Sequence, residues 1–303
     1  MQKMNVTSSP HISGPDNTTG IMLDVIIALL PATICGICFF GFNALLTVAV
    51  TVASAVLSEY LWCKAIKKQT SLLDLSAVVT GLLLGLNLPP TLPLWMAALG
   101  SAIAIVVVKQ MFGGIGHNFA NPAITARIAL MVSFPTAMTT YIVPFTDNVV
   151  SSATPLGGGD FALSKLFFGI HPGTIGETSS LLLLAGGVYL VIRRVITPEL
   201  PLAFMASAAG LAWALGDDPV KTLFTGGLML GSIFMATDYV TSPPTRLGKI
   251  IFGVGCGLIT VVIRHFGNIP EGVSFAILLM NILTPHITRL TAKKPFGTEG
   301  EQK

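Results

Sequence analysis

The chain has 303 residues, 52% of them hydrophobic and only 10% charged, against about a quarter charged in ordinary soluble domains. That balance excludes a soluble globular enzyme and predicts a polytopic, all-α membrane protein embedded in a lipid bilayer. The net charge of +3 is small and no dense basic patch exists, so a nucleic-acid partner is excluded.

Residues 1–20 are polar. The first apolar run, 21–41, contains Pro31 and no convincing small-residue cleavage site, so it is expected to remain as a helix. It holds a CxxC, Cys35 and Cys38, in an apolar setting that suits packing better than redox or metal chemistry. Further runs cover 44–62, 72–88, 92–108 and 122–134. After a long polar interval come 178–192, 200–215, 222–237, 250–263 and 272–290. Several of these ten runs fall short of the roughly 20 residues that span hydrocarbon. Such segments are tolerated where protein or a lined cavity covers their ends, so some should be short or broken helices inside the bundle.

Two stretches resemble each other: "TGLLLGLNLPPTLPL" at 80–94 and "TGGLMLGSIFMATDYVTSPPTRL" at 225–247. With five runs on either side of the interval, the expectation is two inverted five-helix repeats with sites at their interface. The organisation is then a segment 1–20, a first repeat 21–134, a loop 135–177, a second repeat 178–290 and a tail 291–303. If ten runs alternate, Lys64, Lys67, Lys68, Lys109, Arg127, Arg193, Arg194, Arg246, Lys249 and the basic C-terminal end share one side. The other side receives Lys165, Lys221 and Arg264. Positive-inside then puts both termini in the cytoplasm and 135–177 on the outer face.

Three polar stretches interrupt this chain. "KQMFGGIGHNFANPAITARI" at 109–128 is no dinucleotide fingerprint, because its spacing is wrong and no strand precedes it. Gly114 and Gly116 permit positive φ and close backbone approach. Asn118 and Asn121 lie three apart, so their amides could face a flat ring with imide and carbonyl edges; helix capping is the alternative. In "ATDYVTSPPTRLGK", 236–249, Asp238 is a functional candidate as an ionisable group near membrane depth. The alternative is a helix-end residue paired with Arg246 or Lys249. Asp24 has the same status. "NVVSSATPLGGGD", 148–160, reads locally as a turn. No HxxxH or HExxH spacing occurs, so no metal site is expected.

Together, in order and spacing, "SSATPL", "FGGIGHNFANPA" and "ATDYVTSPPTRLGK" resemble the membrane flavoprotein family that contains the D subunit of the Rnf complex (RnfD) and the B subunit of the sodium-pumping NADH:quinone reductase (NqrB). The first helix begins by about residue 21, which suits the Rnf branch. The resemblance implies a covalent FMN, held through its phosphate on Thr154, with Ser151, Ser152 and Ala153 completing the motif. Ser152 stands where the family usually has glycine. It also implies a noncovalent riboflavin near Asn118 and Asn121, with Gly114 and Gly116 in the same segment. The implied role is electron transfer between these flavins in an ion-translocating ferredoxin:NAD oxidoreductase of the bacterial inner membrane. The implied partners are the other Rnf subunits, and no direct NAD or ferredoxin site and no independent activity are expected of this chain. The alternatives are the quinone-reductase subunit and a flavin-free channel or transporter with an inverted repeat.

Overall fold

The computed structural model describes residues 17–67, 72–145, 149–150, 162–177, 179–267 and 271–292. Helix α1 (Thr18–Phe40) starts on Asn17, whose side chain accepts from the Gly20 N–H, and ends at Gly41, where φ is 73°. Next come α2 (Phe42–Ile66), a 3₁₀ turn (Leu72–Asp74) and α3 (Ser76–Leu86). α4 (Leu94–Ala102) continues as a π-helix over Ile103–Gln110, and α5 (Pro122–Ser133) follows. The interval between the halves holds α6 (Pro135–Met138), a short hairpin and α7 (Leu163–Phe168). In the hairpin, β1 (Tyr141–Ile142) pairs antiparallel with β2 (Val149–Val150). A second 3₁₀ turn (Ile175–Glu177) leads to α8 (Ser180–Ile192), α9 (Glu199–Leu215) and α10 (Pro219–Phe224). α11 (Leu228–Leu230) also passes into a π-helix, Gly231–Met235. α12 (Arg246–Phe266) and α13 (Val273–Thr291) complete the bundle.

The chain is an all-helical, multi-pass membrane protein. Among the described residues, α1, α2, α12 and α13 are long and apolar enough to cross a bilayer, and shorter apolar helices lie between them. The side chains are distributed as lipid demands. On α1 the large residues Leu23, Ile27, Leu30 and Ile34 form an exposed stripe, while Ala28, Ala32 and Gly36 face inward. On α2, Ala44, Thr47, Thr51 and Ala55 are buried and Leu45, Leu57 and Leu61 are exposed. Lipid tails are as apolar as leucine, so helices associate through small residues that let their backbones approach. Buried hydroxyls return to their own helix: Thr33 donates to the Leu29 carbonyl at 2.9 Å and Thr51 to the Val48 carbonyl at 2.9 Å.

The two stretches that resemble each other become the most enclosed helices. All of α3 except Val78 is buried, as is every residue from Leu228 to Met235. Within the first half α2 packs on α3 and α4; within the second, α9 packs on α12. Between halves α1 meets α8 and α5 meets α13. Glycines set the closest approaches: a Cβ on Gly81 would stand 2.8 Å from the Thr51 carbonyl oxygen, and one on Gly257 2.6 Å from that of Phe204.

Two residues counted as loop charges for orientation belong to the interior. Lys109 closes the π-helix after α4 and Arg127 lies inside α5; both are buried and paired. They are satisfied by protein carboxylates and carry no weight in the positive-inside rule, which rests on the remaining basic residues.

Candidate functional site

A cavity of about 300 Å³ opens between the halves. Its apolar walls include Ile21 and Val25 of α1, Val79 and Leu83 of α3, and Phe234 of the second π-helix. Polar groups reach it from the 115–123 connection and from 237–240. Pockets for small ligands have this character: mostly apolar, with a few convergent polar groups.

Asn121 and Asn118 differ in what their amides touch. Asn121 caps α5: its Oδ1 accepts from the N–H of Ala123 at 3.0 Å and of Ile124 at 3.3 Å, and Pro122 occupies the first helical position. Its Nδ2 donates across the interface to the Met235 carbonyl at 3.1 Å. With its amide oriented by its neighbours, Asn281 accepts from the Asn121 backbone N–H at 3.1 Å and donates to the Thr241 carbonyl. Asn118 also lines the cavity, but its Oδ1 is buried without a hydrogen-bond partner. A buried acceptor left unmet is costly and marks a place where a donor is missing.

The glycines shape the connection. Gly113, Gly114 and Gly116 have φ of 121°, 97° and 88°. Gly116 lines the cavity, while Gly114 donates its N–H to the Lys109 carbonyl at 3.0 Å and lies behind.

Asp238 lines the cavity from the second half. It is not the partner of Arg246 or Lys249. Arg246 faces Glu199 at 3.6 Å and Lys249 donates to Thr197 at 2.9 Å, while Asp238 accepts from the Thr241 hydroxyl at 3.0 Å. Packing around the carboxyl pushes it above the usual range, and the Thr241 hydroxyl and Val240 N–H pull it back in part. Asp24 fastens α1 to α8 through the Tyr189 hydroxyl at 2.8 Å and Arg193 at 3.1 Å.

Sequence reasoning passes over Glu59, although a carboxylate in the middle of an apolar run is itself a signal. Glu59 is fully buried on α2. Its Oε1 accepts from Lys109 Nζ at 2.9 Å and from Gln110 Nε2 at 2.7 Å. Lys109 also donates to the Ser76 hydroxyl at 2.6 Å, and Lys109 and Ser76 both line the cavity.

A second buried polar cluster joins the halves near the 135–177 interval. Arg127 pairs with Glu271 and donates to Asn87 Oδ1 at 2.9 Å and Ser274 Oγ at 3.2 Å. Tyr141 donates to Glu271 at 3.4 Å. Arg127, Glu271, Asn87, Ser274 and Tyr141 are thereby tied to one another. Arg264 donates to the Thr222 carbonyl at 3.0 Å and the Thr225 carbonyl at 2.9 Å.

Thr154, Ser151, Ser152 and Ala153 lie outside the described residues. The four cysteines are free thiols, and no cluster of three or more His, Cys, Asp or Glu suits a metal among the described residues.

A family model described as the NQR2, RnfD, RnfE family matches residues 5–297. The chain is 46% identical to the D subunit of the Na(+)-translocating ferredoxin:NAD(+) oxidoreductase complex of Acetobacterium woodii, covering 98% of this chain and 97% of that one. It is 42% identical to the D subunit of the proton-translocating ferredoxin:NAD(+) oxidoreductase complex of Clostridium ljungdahlii, covering 97% and 96%. It is 40% identical to the D subunit of the ion-translocating oxidoreductase complex of Stutzerimonas stutzeri, covering 93% of each chain.

Proposed function

The chain belongs to the NQR2, RnfD, RnfE family, and on that premise we propose that it is the electron-carrying member, of the RnfD type, of an ion-translocating ferredoxin:NAD oxidoreductase in the bacterial inner membrane. Its partners are the other subunits of that complex. The relatives from Acetobacterium and Clostridium carry names with different ions, so the reading stops at ion translocation. Both termini face the cytoplasm and the 135–177 interval faces outward.

The observation that carries the inner flavin is the Asn118 Oδ1, a buried acceptor without a partner on a cavity of about 300 Å³. A flavin ring offers an imide N–H that meets such an acceptor. Val25, Leu83 and Phe234 present apolar surface to its faces. The residues present therefore fit a noncovalent riboflavin, which when bound supplies the electron-carrying chemistry. The chain's own residues bind and orient it: Asn118 meets the polar edge, Asn121 fixes the α5 end on which that edge rests, and the apolar walls exclude water. The outer carrier is an FMN esterified to the Thr154 hydroxyl, a reading supported by "SSATPL" in the family's order and spacing.

The test is in-gel fluorescence of the denatured chain with intact-mass measurement. The wild type should show a fluorescent band and the mass of one FMN. Thr154→Ala should lose both and keep acid-extractable riboflavin. One FMN still attached in the alanine variant overturns Thr154, and a wild type without any flavin overturns the electron-transfer role.

A further inference from the structure

Lys109 and Asp238 are the only charged side chains among the described residues that line the cavity. The π-helix after α4 turns Lys109 and its neighbour Gln110 toward one carboxylate oxygen of Glu59. π-segments that interrupt α-helices are frequent at functional positions. Behind Lys109 stand Glu59 and, through Ser76, Asp74, whose Oδ1 accepts from the Ser76 hydroxyl at 2.5 Å. Neither carboxylate lines the cavity. An ammonium has three donors. Glu59 and Ser76 take two of them, and Lys109 lines the cavity. Glu59 and Ser76 thus fix the cation at the cavity wall.

We propose that Lys109 sets the redox potential of the inner flavin by favouring the reduced, more electron-rich ring over the oxidised one, with Glu59 as the positioning residue that fixes and partly offsets its charge. This rests on the reading of the cavity as a riboflavin site. Asp238, across the cavity, opposes the effect when ionised. Low local dielectric makes such a fixed charge act strongly. A tenfold preference for the reduced ring corresponds to about 30 mV in a two-electron couple.

The experiment is a spectroelectrochemical titration of the purified complex, following extractable and covalent flavin separately. Lys109→Gln keeps riboflavin bound and lowers its potential by about 30 mV or more, and the covalent FMN does not move. Lys109→Arg restores the wild-type value. Glu59→Gln, which keeps Lys109 and removes the offsetting charge, shifts the potential upward. Riboflavin present with an unmoved potential in Lys109→Gln overturns the assignment. If that variant does not fold, a downward or absent shift in Glu59→Gln overturns it instead. A wild-type complex without extractable riboflavin fails differently: it sinks the cavity reading, and this assignment with it.

Discussion

Arg127 of α5 and Glu271, two residues before α13, form a buried ion pair that crosses between the two halves of the chain. Asn87 and Ser274 share the guanidinium and Tyr141 shares the carboxylate, so neither charge is left without partners. Removing one member of such a pair strands the other in a low-dielectric interior and costs about 3–5 kcal/mol. Arg127→Met and Glu271→Met should therefore each lower the melting temperature sharply in detergent. The double variant Arg127→Met, Glu271→Met should be more stable than the sum of the single losses implies, because no lone charge remains. Additive losses would mean that the two residues do not act as a pair.

Hydropathy and turn residues made much of the fold legible. Asn121 before Pro122 carries a helix-start signal in two letters, and the repeated Thr-Gly stretches mark the two enclosed helices. The buried charges were less legible. Lys109 and Arg127 look like loop cations when only position along the chain is counted, since their partners Glu59 and Glu271 are far off in sequence. Nor does a π-helix leave a mark on hydropathy: it is a shift of one residue in the hydrogen-bond ladder, and it decides which side chains face the cavity. At the cavity, glycine and asparagine content pointed to a segment that lines its wall. What the sequence could not show is that the Asn121 amide nitrogen also reaches the Met235 carbonyl, in the other half of the chain.

Orientation is testable with an impermeant thiol reagent on intact cells, in a background where Cys35 and Cys38 are serine. Lys67 is exposed at the end of α2, in a left-handed conformation. Lys67→Cys should stay unlabelled from outside, and Gly158→Cys should be labelled. The reverse pattern would place both termini and the Thr154 motif on the opposite faces from those proposed.

Close helix contact makes a sharp contrast among glycines. A Cβ on Gly253 would stand 2.7 Å from the Leu200 carbonyl oxygen, and Gly257 is as tight against Phe204, so α12 and α9 touch through backbone. Gly253→Ala and Gly257→Ala should each destabilise by about 1–3 kcal/mol, the usual cost of overpacking. Gly210, on α9, has open space around it. Gly210→Ala should instead be neutral or stabilising by up to about 1 kcal/mol, from helix propensity alone. Melting curves of the three variants decide the point. Equal effects at all three would show that α9 and α12 are not in backbone contact.

The two asparagines should separate binding from stability. Asn118 lines the cavity and its buried oxygen makes no hydrogen bond, so Asn118→Ala removes no bond from that oxygen that holds the fold. It should leave the melting temperature near wild type. The loss of one hydrogen bond, roughly 0.5–1.5 kcal/mol, should weaken riboflavin retention by up to about tenfold. Asn121 already uses its oxygen on two backbone N–H groups and its nitrogen on Met235. Asn121→Ala should therefore cost about 1 kcal/mol as a lost cap, with a further loss for the orphaned Met235 carbonyl, and should lower the melting temperature first. The ratio of acid-extractable to covalent flavin, read beside the melting curve, distinguishes the two. An Asn118→Ala protein that melts like wild type and holds riboflavin like wild type would show that its oxygen is not the ligand, and the polar edge of the ring would then have to be met elsewhere on the cavity wall.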